Sequence, residues 1–525
     1  MPNNYFSNMH NDNGSELYDL IRTLTKGEKR YFKLYARARS AHKKDINYVS
    51  LFDVIERQNE YSEEKIKRLG LVRPEHLPML KNYLYKLILE SLRALKNKSG
   101  DIDSRIAALL ENARIMRDKG LENEQVRYLA KAKQLAVKYE RWGSALEGLF
   151  MERRIRVRKE SADLWRKLDA EIEEVMDTLS NLVQHFYLSR EVKLLINQSS
   201  AGRNDHRKTV KRLMADPLLK NENKSMSLEA KRTRYLTFCN YYSFLEEHEK
   251  SYSVLKHAME LVESNLLVFE NPDMTYAIGL SNLIIVQFQL QKFREAFRDI
   301  QKYRAFAKKS GSARSFALVY SSIFETYYFL RTGEYEKGAA ILKNIEKDID
   351  ANIANPEYPA QLNFLHYNIA NIYFGARNYR KALQWINTIT NQPKTVFRED
   401  MQAFSRILQI LIHYELNDTD ILEHLVVSAY RFLLKRRQLF KVEKALLQFM
   451  RRLSKKNYSK PILKEEFIRL KNELVRITKN PAEKQALEYF DLISWLESKI
   501  QNRSFAEVVR EKHLGRIKNN LPDKG

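Results

Sequence analysis

The groups in this 525-residue chain that could carry covalent chemistry are one cysteine, eleven histidines and a few neighbouring carboxylates. A reactive Cys239 would need its thiolate. The residue reads instead as a small core thiol, and a lone cysteine excludes an intramolecular disulfide and fits a reducing compartment. His248 and His257 are nine residues apart (257−248), which puts them on different faces of a helix. Glu246–Glu247 and Glu465–Glu466 are adjacent in sequence. They diverge by about 100° around a helix and read as solvated faces, not as an acid–base couple. The chain has no glycine-rich phosphate loop, no Cys-x-x-Cys and no His-Glu-x-x-His. The expectation is a non-enzymatic protein with no cofactor and no metal site.

Charge offers binding chemistry instead. The net charge is +25, unevenly placed. Residues 1–100 carry 19 Lys+Arg against 12 Asp+Glu, and 101–234 carry 28 against 21. Residues 235–429 carry 20 against 22, and 430–525 carry 24 against 11. A protein that coats nucleic acid along its length would not leave its middle neutral, so any anionic partner is expected at the basic ends. Near the C-terminus Arg437, Lys441, Lys444, Arg451 and Lys455 recur on one side of a predicted helix. Leu439, Val442, Leu446, Phe449 and Leu453 line its other side. Such a stripe suits phosphates, an acidic protein surface or plain solvent. The denser run Arg153, Arg154, Arg156, Arg158 and Lys159 surrounds its helix and makes no single face.

The elements that would hold these groups are helical. Glycine (15) and proline (11) are too scarce for a turn-rich β fold. No apolar run approaches the ~18–20 residues that span a bilayer, and residues 1–14 are polar with no signal-peptide pattern. A cytoplasmic protein is expected, with no membrane partner. Residues 15–98 form a predicted helical head. Thr25-Lys-Gly-Glu28 is a capping box, and the helix after it carries Tyr31, Leu34, Tyr35 and Ala38 as an apolar stripe. Asn47 and Ser62 begin two more helices, the second ending at Gly70, and a fourth covers 79–95. Residues 96–100 are the linker candidate. The segments 49–58 and 62–69 could form a helix-turn-helix. Glu63 and Glu64 would then repel DNA at the recognition-helix start, leaving Lys65, Lys67 and Arg68 for backbone contact.

Four later segments repeat an aromatic or His, a small residue three on and an aliphatic seven on. They are His248–Ser251–Leu255, Phe293–Ala296–Ile300, Tyr335–Gly338–Leu342 and Tyr379–Ala382–Ile386. Their intervals are 45, 42 and 44 residues (293−248, 335−293, 379−335). Only a small side chain fits where paired helices cross closely, and the flanking positions lie on the same face. The pattern fades at Asp420–Glu423–Val427. The clearest copy, Ala370, Tyr373, Tyr379 and Ala382, resembles the tetratricopeptide repeat, and Phe329–Leu342 resembles it nearly as well. The family period is about 34 residues, and this longer one matches HEAT-type repeats in length but not in signature.

The resemblance implies an all-α, right-handed TPR-like superhelix, a solenoid, behind a small helical N-terminal domain. Repeats would occupy 101–430, most regularly 228–392. Basic helices at 431–514 would cap the array, with 1–14 disordered and 515–525 frayed. It also implies a concave groove lined from positions beside the small slot, here Asn240, Asn282, Asn368 and Asn371. Asparagine both donates and accepts, so such a row could hold a peptide main chain. The implied function is a scaffold for a protein or peptide segment. The alternative is a transcription regulator whose head binds nucleic acid under control of the repeats.

Overall fold

The computed structural model describes residues 15–39, 47–58, 60–71, 73–156, 162–200, 205–348, 358–391, 399–434, 440–455, 458–480, 483 and 486–519. The regular elements are helices, in two compact units, Met1–Asn181 and Leu182–Gly525.

The first unit opens with α1 (Ser15–Thr23), α2 (Lys26–Arg39), α3 (Asn47–Glu56), α4 (Glu63–Arg68) and α5 (Leu77–Ser99). The capping box before α2 forms: the Thr25 N–H donates to Glu28 Oε2 at 2.7 Å and the Glu28 N–H to Thr25 Oγ1 at 3.2 Å. The stripe expected on α2 is displaced. Phe32 and Ala36 are buried, whereas Leu34 is exposed. The reason is Phe52 of α3, whose ring meets Phe32 at 4.7 Å while Tyr31 and Tyr35 stack on each other at 6.2 Å. Ser62 caps α4 and Gly70 closes it at φ +61°. The linker expected at 96–100 is the last turn of α5 followed by the left-handed Gly100. Asp101 then caps α6 (Ile102–Asp118) through the Ser104 N–H at 2.9 Å. The antiparallel partner is α7 (Glu122–Lys138). Ile106, Leu110 and Ala113 pack there with Leu129, Ala132 and Ala136, all buried. Next come α8 (Trp142–Arg156) and α9 (Ala162–Ser200).

Between Lys67 and Lys81, the Glu63 carboxyl is held well below its ordinary 4.5, at about 2. A lowered carboxylate pKa stabilises above the unfolded value and is lost as pH falls through the folded one. The head should therefore lose stability between pH 4.5 and 2. Glu63→Gln should flatten that part of its pH–melting profile, followed by circular dichroism.

The second unit continues through the short α10 (Arg207–Leu213) and α11 (Pro217–Lys220) to paired helices: α12 (Leu228–Phe244) with α13 (His248–Ser264), α14 (Pro272–Gln289) with α15 (Phe293–Lys309), α16 (Arg314–Thr332) with α17 (Tyr335–Asp348), α18 (Pro359–Gly375) with α19 (Tyr379–Thr390), and α20 (Glu399–Glu415) with α21 (Thr419–Leu434). His248, Phe293, Tyr335 and Tyr379 are each the first residue of their helix. Ser251, Ala296, Ala382, Leu255, Ile300, Leu342 and Ile386 are all fully buried. At Gly338 the helices cross so closely that a Cβ would lie 3.1 Å from Ile372 Cγ2 and Phe329 Cβ. The fading copy has a different register. α21 starts at Thr419, so the buried positions are Leu422 and Val426, not Glu423 and Val427.

A backbone feature explains that register. Gly120, Glu140, Glu246, Gln291, Gly333, Arg377 and Asn417 all have positive φ, and each stands two residues before a helix start. After six of them the next N–H reaches back five residues: Leu121 to Met116 O at 2.9 Å, Arg141 to Ala136 O at 2.7 Å, Glu247 to Tyr242 O at 2.9 Å, Lys292 to Gln287 O at 2.8 Å, Asn378 to Tyr373 O at 2.8 Å and Asp418 to His413 O at 3.0 Å. This is the Schellman closure of a helix C-terminus. Five of the seven positions hold side chains that favour negative φ. Glu246→Gly, at an exposed site, should raise stability by about 0.5–1 kcal/mol in urea denaturation, net of the added unfolded-state entropy.

After α21 come α22 (Lys441–Lys455), α23 (Lys460–Ile477), a short turn of helix (Ala486–Tyr489), the helix Leu492–Gln501 and a C-terminal helix, Phe505–Asn519. The tail expected to fray from residue 515 is helical to Asn519.

Candidate functional site

Two inner helices of the second unit turn one face each toward the C-terminal helices. On α16 the face is Tyr327, Leu330 and Arg331. On α18 it is Phe364, Tyr367, Asn368 and Asn371, at the i, i+3, i+4, i+7 spacing of one helical side. Tyr489, Phe490, Asp491, Phe505, Lys512 and Arg516 close the other side, around a cavity of about 490 Å³.

The C-terminal helix is fixed there by close backbone approach. Gly333 has φ +73°, and a Cβ on it would lie 2.7 Å from the Arg510 nitrogen and 3.1 Å from the Ala506 oxygen. Arg510 donates to the Gly333 carbonyl and to Glu336, both at 3.3 Å. Phe505 stacks on Tyr335 and Phe490, each at 5.4 Å, and meets Phe374 edge-on at 5.9 Å. His513 meets Phe293 edge-on at 4.7 Å. The preceding helix is anchored on α20: Trp495 Nε1 donates to Glu415 Oε1 at 2.7 Å, and Lys499 Nζ to Glu415 Oε2 at 2.6 Å. Tyr489 stacks on Phe404 at 4.0 Å.

The cavity is aromatic-walled and basic at its rim. Arg331 lies over the Tyr327 ring at 5.7 Å. Lys512 is shared between Glu497 at 2.7 Å and Ser494 Oγ at 2.9 Å. Asp491 is committed to capping, accepting from the Ser494 N–H at 2.9 Å. Burial holds His513 below its usual pKa, and Arg516 and Arg331 push it the same way. Burial raises the Tyr367 hydroxyl well above its usual value. The arrangement suits binding of an apolar or aromatic group with polar edges.

Asn368 and Asn371 come together in this wall, only 3% and 4% exposed. Asn368 Nδ2 donates to Thr326 Oγ1 at 3.2 Å and Asn371 Nδ2 to the Tyr367 carbonyl at 2.8 Å. Asn240 on α12 and Asn282 on α14 are half-buried and do not line the cavity. The sequence places helices as far as 514 but does not single out this one as a wall of the cavity, although Ser504-Phe-Ala-Glu507 is a capping box. The Ser504 N–H donates to Glu507 Oε2 at 2.9 Å and the Glu507 N–H to Ser504 Oγ at 3.1 Å.

In the basic stripe, Lys441, Lys444 and Arg451 are exposed on α22, whose Val442, Leu446 and Phe449 are buried. Arg437 lies outside the described residues, as do the side chain of Lys455 and most of the run from Arg156 to Lys159. Cys239 is 7% exposed, its Sγ lies 3.3 Å from Ser251 Oγ, and burial raises its pKa. Glu247 pairs with Lys250 at 2.8 Å and Glu466 with Arg469 at 2.8 Å. In the head, Glu63 is bound to Lys67 at 2.8 Å and to Lys81, and Glu64 lies 3.9 Å from Arg68. Among the described residues no group of three His, Cys, Asp or Glu is placed to hold a metal ion, and no helix is long and apolar enough to cross a membrane.

No protein-family model and no curated protein matches the chain. Solved structures do. The apo form of the quorum sensor NprR from B. thuringiensis is 14% identical at a TM-score of 0.41, over 69% of this chain and 99% of that one. The apo form of RapI is 12% identical at 0.38, over 73% and 98%. Among the described residues the regular elements are all α-helical, and by their own pairing and register the helices α12–α21 of the second unit form a TPR-like array.

Proposed function

We propose that this protein is a non-enzymatic, cytoplasmic scaffold that binds a protein or peptide segment in the cavity between α16, α18 and the C-terminal helix. The observation that carries the reading is the joint placement of Tyr327, Arg331, Asn368 and Asn371 on facing helix sides around one cavity. Aromatic rings supply contact area at low entropic cost, and the Asn and Arg groups orient a main chain. The lone, buried Cys239 agrees with a reducing compartment. The regulator reading is less favoured, because the start of α4 presents Glu63 and Glu64 and its Lys67 is already paired.

The test is selection of binders from a random peptide library on the full chain, followed by affinity measurement with variants. Tyr327→Ala, Arg331→Glu and Asn368→Ala/Asn371→Ala should each weaken a selected peptide by about tenfold or more. Unchanged affinity in all three would remove the cavity from the account.

A further inference from the structure

A second surface lies wholly within the first unit, where α6 and α7 run antiparallel. On α6 the residues Arg105, Ala108, Leu109 and Asn112 stand at i, i+3, i+4 and i+7. On α7, Lys131, Gln134, Leu135 and Lys138 repeat the same spacing. The two faces enclose an open groove of about 530 Å³. Its floor is apolar: Ala108 is exposed, and Leu109 and Leu135 are half-buried at the edge of the helix-pair core. Its rim is basic, and no carboxylate lines it.

Ion pairing on these two helices divides cleanly. Arg114 is bonded to Glu111 at 2.7 Å and to Glu147, Arg117 to Asp118 at 3.1 Å, Arg127 to Glu124 at 3.1 Å, and Lys133 to Glu171 at 2.5 Å. Arg105, Lys131 and Lys138, the three cations on the groove, have no ion pair among the described residues. Lys131 and Lys138 only overlie the rings of Tyr128 at 6.0 Å and Tyr139 at 5.4 Å. Carboxylates elsewhere on the pair are occupied as well: Asp103 by Arg141, Glu111 by Arg114 and Glu124 by Arg127. The three groove cations are thus left for a partner from outside.

We infer that the α6–α7 groove is a docking surface for an acidic amphipathic helix. Its apolar face would cover Ala108, Leu109 and Leu135, and its carboxylates would meet Arg105, Lys131 and Lys138. The eight residues from i to i+7 on each helix span about 10 Å, enough for roughly two turns of a partner. The small side chain of Ala108 permits close approach of that helix. A nucleic-acid backbone would satisfy the cations but would place phosphates over the apolar floor, so the groove favours the helix.

The test uses the full chain and a labelled synthetic peptide with Leu at i, i+3, i+4 and i+7 and Glu on both flanks. Controls are a peptide of the same composition with the apolar face scrambled, and a labelled DNA duplex. The acidic helix should bind at low salt. The scrambled peptide and the variant Arg105→Glu/Lys131→Glu/Lys138→Glu should each lose about tenfold or more. Ala108→Arg separates the floor from the rim: it adds a cation but fills the seat, and it should weaken binding. The proposal is overturned if Ala108→Arg tightens binding, if the scrambled peptide binds equally, if the duplex binds in preference at these cations, or if the acidic helix does not bind. The peptide comparison uses the unaltered protein, so it stands even if a variant folds poorly.

Discussion

Replacing Trp495 with alanine should cost the second unit about 3–5 kcal/mol, the usual range for deleting a buried large aromatic. Trp495 is fully buried. Its ring meets Tyr414 and Phe467 edge-on, each at 5.8 Å, so its removal empties a pocket shared by α20, α23 and the helix Leu492–Gln501. Its indole N–H also donates to Glu415 Oε1, and Lys499 Nζ reaches both oxygens of that carboxylate. Trp495→Phe separates the two contributions. It keeps most of the packing and should cost about 1.5–3 kcal/mol, the range for losing a hydrogen bond to a charged group, since Lys499 still holds the carboxylate. Urea denaturation measures both. A loss below about 1 kcal/mol for Trp495→Ala would mean that the C-terminal segment is not anchored on α20 as described.

The second large effect is expected at Gly333. Alanine there meets two penalties. The left-handed backbone at φ +73° costs a side-chain-bearing residue about 1–2 kcal/mol, and the new Cβ would press on the Arg510 and Ala506 backbone at 2.7 and 3.1 Å. Overpacking of this kind typically costs a further 1–3 kcal/mol. The cheapest relief is for the helix Phe505–Asn519 to leave, since the obstructing atoms belong to it and not to the α16–α17 pair. Gly333→Ala should therefore make that helix protease-sensitive while the repeats still unfold cooperatively, lowered by about the 1–2 kcal/mol of backbone strain. Gly120 is the internal control. It has φ +74° with nothing within 4 Å of its Cβ position, so Gly120→Ala should show the backbone strain alone, about 1–2 kcal/mol. Equal proteolysis of wild type and Gly333→Ala would show that the close approach does not hold the helix.

Much of the solenoid was legible because its constraint is steric and local. Where helices cross, only Ser251, Ala296, Gly338 or Ala382 fits, and the aromatic or His three residues earlier begins the second helix of the pair. The turns were not legible. Glu246, Gln291, Arg377 and Asn417 adopt the left-handed conformation that glycine usually marks, and only the Schellman hydrogen bonds reveal it. Without that marker the sequence pattern puts the last repeat one residue late, at Asp420 in place of Thr419. On α2, Tyr31, Leu34 and Tyr35 outweighed Phe32 in the pattern. Packing against Phe52 reversed the choice. At the candidate site, Asn368 and Asn371 were placed through the clearest repeat, whereas Asn240 and Asn282 came from degraded copies and lie elsewhere. The closing helix lies in the expected C-terminal helices, but its buried face is not legible, because Val508 is buried on the side opposite Ala506, Val509 and His513. Which cations on α6 and α7 are paired is likewise a matter of three-dimensional neighbours, as Lys133 reaching Glu171 illustrates.

The central claim is that a peptide segment binds between α16, α18 and the C-terminal helix. Hydrogen–deuterium exchange on the full chain, with and without a library-selected peptide, tests it most directly. The account predicts that protection will gather at 327–331, 364–371 and 487–516. Protection confined to other segments, with these three unchanged, would contradict it.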